Sequence, residues 1–169
     1  MAHTLLRKLP RAESLTSIAK RVSVIDPTSL LAYVSLIIVA KNMIALNEVK
    51  FARLGLSNGR FGVLIMLYDH DTGLTPAELA ENAAVSRGTI TGLLQGLEQD
   101  GYVKRVARTD DRRMVTIQLT AAGSKLLDKI LPEHFRRIAV LMKTLTKDEQ
   151  RTLARLLEKV HSGIGALDD

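Results

Sequence analysis

The chain has 169 residues, 46% of them hydrophobic, enough to bury the core of one compact domain with an appendage. Its net charge of +6 favours an anionic partner without choosing among nucleic acid, a membrane surface or none. With no cysteine, disulfides, thiolate zinc sites and thiol redox sensing are excluded, and a reducing compartment is permitted.

Met1 to Ser29 carries five basic and two acidic residues and lacks the long apolar stretch and small-residue cleavage site of a signal peptide, so it reads as a retained basic extension. Leu15, Ile18, Ala19 and Val22 predict a short amphipathic helix ending before Asp26-Pro27. The extension can serve as a basic arm, an extra dimer contact or a DNA contact. Leu30 to Ala40 is nearly continuous apolar sequence. It is too short for a membrane span, which needs about 20 such residues, and Lys41 and Asn42 interrupt it. A helix apolar on most sides is expected to be buried on most sides, here between its own domain and a second subunit.

Ser57 can cap the next helix, whose core is Phe61, Leu64, Ile65 and Leu67, before Asp71, Thr72 and Gly73 turn the chain. Thr75, Pro76 and Glu78 then supply a cap, a first-turn proline and the third member of a capping box, with Leu79, Ala80 and Ala83 as the buried stripe. After a short connection Ser86 can cap a second helix, and Ile90, Leu93, Leu94 and Leu97 recur at the spacing of one apolar face.

Half a turn from that stripe lie Gly88, Thr91, Gly92, Gln95 and Gln99, with Arg87 at the amino end. Two glycines inside a helix cost roughly 1 kcal/mol each relative to alanine, and close approach of the backbone to a bulky partner would offset them. A DNA major groove is such a partner. Thr91 and Gln95 would meet base edges, while Ser86, Arg87 and the helix amino terminus would hold phosphate. The bland alternative is a surface helix with permissive residues.

Tyr102 to Val106 and Met114 to Leu119 read as paired strands joined by Ala107 to Arg113. Five basic and two acidic residues fall between Tyr102 and Arg113, so the hairpin tip can follow a phosphate backbone or enter a minor groove. Beyond it, Leu127, Ile130, Leu131, His134, Ile138, Leu141, Met142 and Leu145 hold one helical stripe, in which Pro132 predicts an interruption and a kink. Thr146 and Glu149 form another capping box, and Leu153, Leu156, Leu157 and Val160 give a last amphipathic helix ending near Gly163 and Gly165. The fold class is mainly α with a small β-hairpin. Its regions are a basic extension over 1–29, a dimerisation helix over 30–56, a winged helix-turn-helix over 57–120 and dimerisation helices over 121–169.

From about Leu30 to Val160 the sequence resembles the MarR-type winged-helix transcriptional regulators. The resemblance is carried by Leu79-Ala80, by Thr89-Ile90-Thr91 followed by Leu97-Glu98 and Gly101-Tyr102-Val103, and by Asp111-Arg112-Arg113 ending in Leu119-Thr120 with Gly123 beyond. It implies a cytoplasmic homodimer that binds double-stranded DNA at a pseudo-palindromic operator, acts as a repressor, and is released by a small aromatic or amphipathic anion. DNA contacts are expected from Ser86, Arg87, Gly88, Thr89, Thr91 and Gln95, and from Arg108, Asp111, Arg112 and Arg113 in the wing. The resemblance implies that Arg113 enters the minor groove and that Asp111 orients the wing.

Effector contacts are assigned to Arg60, Tyr33 and His134. For Arg60 the alternative is a solvated or backbone-bound arginine, and for His134 an interface histidine on its apolar stripe.

No metal or cofactor is expected, since His3, His70, His134 and His161 are scattered and no phosphate-binding glycine loop or cysteine nucleophile is present. An enzyme is therefore not expected. The competing reading is a winged helix used as a protein-interaction module, which would need neither a basic hairpin tip nor outward glycines.

Overall fold

The computed structural model describes residues 12–22, 25–107 and 115–167. Helix α1 (Ala12–Val22) buries Leu15 and Ala19 against the helix that follows, while Val22 is exposed. Helix α2 (Pro27–Ala52) starts where Asp26 accepts the Ser29 amide at 2.9 Å and Pro27 occupies the first turn, where no backbone donor is needed.

Two expectations about α2 are corrected. The helix runs through Lys41 and Asn42 to Ala52, because no glycine or proline intervenes and residues such as Met43, Ala45, Leu46, Glu48 and Lys50 favour helix. At 26 residues it is long and apolar enough to cross a membrane, so length does not exclude a span. Nor is it buried on most sides within the chain. Only Ile38 and Phe51 are buried, while Tyr33, Ile37, Val39, Ile44, Leu46 and Val49 are exposed, because none of the described elements of one chain covers them.

The core lies at the far end of α2. Phe51 stacks on Phe61 of helix α3 (Asn58–Tyr68) with ring centroids 4.2 Å apart, and Val63, Leu64 and Leu67 of α3 are buried with them. Helix α5 (Arg87–Gln99) crosses α3 and brings Ile90, Leu94 and Leu97 to this core, and helix α4 (Pro76–Asn82), packed on α5, adds Leu79 and Ala80. The α4 capping box is complete. Thr75 N–H donates to Glu78 Oε2 at 2.7 Å and Glu78 N–H donates to Thr75 Oγ1 at 3.2 Å.

Strands β1 (Val103–Ala107) and β2 (Val115–Leu119) pair antiparallel, Val103 opposite Leu119 and Ala107 opposite Val115. Leu74 adds a single residue on the other edge of β2, exchanging hydrogen bonds of 3.1 and 2.7 Å with Ile117. Gly73 makes that approach possible. Its φ is +78°, and any Cβ there would overlap the Ile117 carbonyl.

Helix α6 (Ala121–Met142) is capped by Thr120 and runs unbroken through Pro132, so the expected interruption does not end it. Its stripe is buried at Leu127, Ile130 and Leu131 and emerges at Ile138 and Leu141. Helix α7 (Lys147–Ser162), with its own complete capping box at Thr146 and Glu149, buries no residue within the chain and leads into a short 3-10 turn at Ile164–Leu167.

Candidate nucleic-acid interface

Helices α4 and α5 are joined by Ala83 to Ser86, a turn tight enough to hold Ala84 at φ +50°. Ser86 Oγ accepts the Thr89 amide at 3.1 Å and lies 2.9 Å from Thr89 Oγ1, so both hydroxyls help cap α5. The helix then divides by face. Ile90, Leu94 and Leu97 are buried, and Arg87, Gly88, Thr91, Gly92, Gln95 and Gln99 are exposed.

The outward side chains are disposed for contact with a groove. Thr91 Oγ1 donates to the Arg87 carbonyl at 2.7 Å, which leaves its methyl and its acceptor lone pairs to face outward. Gln95 makes no hydrogen bond among the described residues, so both halves of its amide are free to pair with adenine. A Cβ on Gly92 would meet nothing within 4 Å, and one on Gly88 only Ser86 Oγ at 3.7 Å. The outward glycines are therefore not required by packing inside the chain. Arg87 stands on the rim of an open depression of about 420 Å³ where the first turns of α4 and α5 meet the start of β2 at Val115. Amide groups at helix starts and a guanidinium together suit phosphate.

Arg108, Asp111, Arg112 and Arg113 lie outside the described residues. Within the hairpin that is described, Arg105 Nε donates to Glu98 Oε2 at 3.1 Å and ties β1 to the last turn of α5.

Arg60, Tyr33 and His134 are not brought together within one chain. Arg60 donates to Asp100 Oδ2 at 2.8 Å and lies over Gly96 of α5. His134 sits edge-on to Phe61 at 4.9 Å and near Phe51 at 5.7 Å. Burial holds its imidazole below the ordinary value of 6.5, with Arg137 and Lys50 adding to the effect. Tyr33 is exposed and, at 1.5 Å per residue, stands roughly 27 Å along α2 from Phe51.

Beside His134 opens a cleft of about 290 Å³ between α2 and α6, lined by Met43, Leu46, Asn47, Arg136, Arg137 and Leu141 among others. Its arginines were missed in the sequence, although only Phe135 separates Arg136 and Arg137 from His134. Arg136 is engaged in two hydrogen bonds to Glu133, at 2.7 and 2.9 Å, and these hold the Glu133 carboxyl down at about 2, with Lys50 assisting.

Two helices joined by a tight turn, the second presenting an exposed outward face of small and uncharged residues, followed directly by an antiparallel hairpin, define a winged helix-turn-helix. The profile of the MarR family matches residues 56–115. The HTH-type transcriptional repressor YetL of Bacillus subtilis is 36% identical over 165 residues, spanning 97% of this chain and 99% of YetL. The HTH-type transcriptional regulator PecS of Dickeya dadantii is 30% identical over 118 residues, 69% of this chain and 70% of PecS. The chain belongs to the MarR family of HTH-type transcriptional regulators. Among solved structures, a MepR–DNA complex from S. aureus shares the fold with a TM-score of 0.71 at 23% identity, over 79% of this chain and 97% of that one. Wild-type MarR from E. coli in its apo form gives a TM-score of 0.59 at 28% identity, over 74% and 93%.

Proposed function

We propose that this regulator is a homodimeric repressor that reads a pseudo-palindromic operator with α5 and is released by a small anionic ligand. The observation that carries the reading is the outward face of α5, where unpaired Gln95, Thr91 and open Gly92 are offered together. YetL, similar over nearly its whole length, is a repressor, and the MepR structure of the same fold was solved with DNA. Both support the reading, as do the basic residues expected at the hairpin tip, Arg108, Arg112 and Arg113, with Asp111 orienting them.

Dimerisation is supported by the apolar faces left uncovered on α2, α6 and α7, among them Ile37, Ile44, Phe135, Leu156 and Val160. Lipid is a poorer cover for α2. Lys41 would enter hydrocarbon, and the far end of the helix is fixed in a polar junction where Asn58 N–H donates to Glu48 Oε2 and its side-chain amide donates to the Ile44 carbonyl, both at 2.9 Å. In this reading residues 30–56 and 121–169 form the dimer, 57–120 bind DNA, and the protein works without catalysis in the cytoplasm. Two recognition helices about 34 to 36 Å apart would reach successive major grooves. The cleft beside His134 offers apolar walls and Arg137 to an amphipathic anion, and a ligand preferring another helix separation would lower DNA affinity by a coupling of about 1 to 3 kcal/mol.

The test compares wild type and Gln95→Ala on a duplex selected by the wild-type protein from a random-sequence pool and on a scrambled duplex. Loss confined to the selected duplex supports base reading by α5. Equal losses on both would assign Gln95 to the backbone, and no preference by the wild type would overturn the reading.

A further inference from the structure

Helices α3 and α5 cross through a reciprocal exchange of glycines. Gly59 of α3 faces Leu93 of α5, so closely that a Cβ at 59 would stand 3.1 Å from Leu93 Cδ2. Gly96 of α5 faces Arg60 of α3, and a Cβ at 96 would overlap the guanidinium. Gly96 is thus buried, on the recognition helix, by a side chain that then reaches past it to Asp100 Oδ2 at 2.8 Å. Asp100 is the carboxy-terminal cap of α5, and Arg60 Nη1 also lies 3.5 Å from the Gly55 carbonyl in the loop before α3. One side chain therefore bridges that loop, the first turn of α3 and the last turn of α5.

The electrostatics give the bridge a direction. Glu98 and Asp100 stand at the carboxylate-unfavourable end of the α5 dipole. Each is met by an arginine from a different element, Glu98 by Arg105 of β1 and Asp100 by Arg60 of α3. The end of the recognition helix is held from the wing on one side and from the core on the other. Arg60 and Asp100 keep 29% and 42% of their side-chain surface, so the pair adds little to global stability. What it can fix is orientation. A binding constellation needs its side chains held within about 0.5 Å and 10–20°, and Gly96 is the residue next to Gln95 on the same turn.

We propose that Arg60 is a positioning residue for DNA reading: laid across Gly96 and tied to Asp100, it sets the rotation of α5 and with it the discrimination between operator and other DNA. The proposal rests on the reading of α5 as the recognition helix.

The experiment measures melting temperature and affinity for the selected and scrambled duplexes in wild type, Arg60→Ala, Arg60→Lys and Asp100→Asn. Arg60→Ala is expected to melt close to wild type, to lose at least about fivefold on the selected duplex and to stay within about twofold on the scrambled one. Arg60→Lys, which keeps the charge without the planar fork, recovers part of the discrimination. Asp100→Asn keeps the shape and leaves Arg60 over Gly96, so it reports the tie alone even where Arg60→Ala folds poorly, and it too should lose discrimination. Full discrimination in the folded variants would overturn the positioning role and leave the regulator reading intact. Parallel losses on both duplexes with a lowered melting temperature would reduce Arg60 to a structural residue. A wild type that does not discriminate would overturn both readings together.

Discussion

The guanidinium of Arg60 occupies the space that a side chain on Gly96 would need, so the two positions exclude one another across the α3–α5 crossing. The obstructing atoms are the far end of a flexible side chain, so Gly96→Ala should expel the arginine rather than distort the backbone. The helix gains about 1 kcal/mol on losing an internal glycine, and it loses a half-exposed ion pair worth about 0.2–1 kcal/mol. A denaturation midpoint unchanged or slightly raised is therefore expected, together with the same loss of operator discrimination as in Arg60→Ala. A sharply lowered midpoint would mean that the arginine cannot leave.

Gly92 offers the opposite case on the outward face. A methyl there meets nothing within 4 Å, so Gly92→Ala should stabilise the free protein by about 1 kcal/mol through helix propensity alone. The same methyl would stand between the helix and the groove, so affinity for the selected duplex should fall while thermal stability rises. If stability and affinity rise together, Gly92 does not mark a close approach.

The winged helix and the start of the last helix were legible because their signals are local. Thr75 with Glu78, Ser86, Thr146 with Glu149, and the spacing of Ile90, Leu93, Leu94 and Leu97 each declare themselves within a few residues, and the structure carries all of them. Two features depend on partners far along the chain. Leu74 joins β2 as a lone residue with no alternating pattern to announce it. Arg60 finds Asp100 forty residues on, where charge type alone allowed an anionic ligand or solvent as readily. Tyr33 and His134 share apolar helices yet lie at different ends of the bundle, a separation that a one-chain pattern does not encode.

His134 makes the stability depend on pH. Its pKa in the folded chain is held below 6.5 by burial against Phe51 and Phe61, with Arg137 and Lys50 opposing its protonation. The unfolded chain therefore takes up the proton first. The stabilisation of the neutral ring is fully present above pH 6.5 and is lost as pH falls through the depressed folded value. The melting temperature should fall between pH 7.5 and 5.5, and His134→Phe should flatten that fall. An equal fall in the variant would assign the dependence to other groups.

In the proposed function this chain recognises specific DNA as a dimer. The most direct measurement is binding of the purified protein to DNA flanking its own coding sequence and to random duplex across a salt series, with stoichiometry read by sedimentation. One dimer on a specific duplex is expected, preferred over random DNA, with log affinity falling steeply against log salt by about 0.9 per phosphate contact. A monomer, or weak binding blind to sequence with a shallow salt slope, would contradict the claim and favour a winged helix that docks protein.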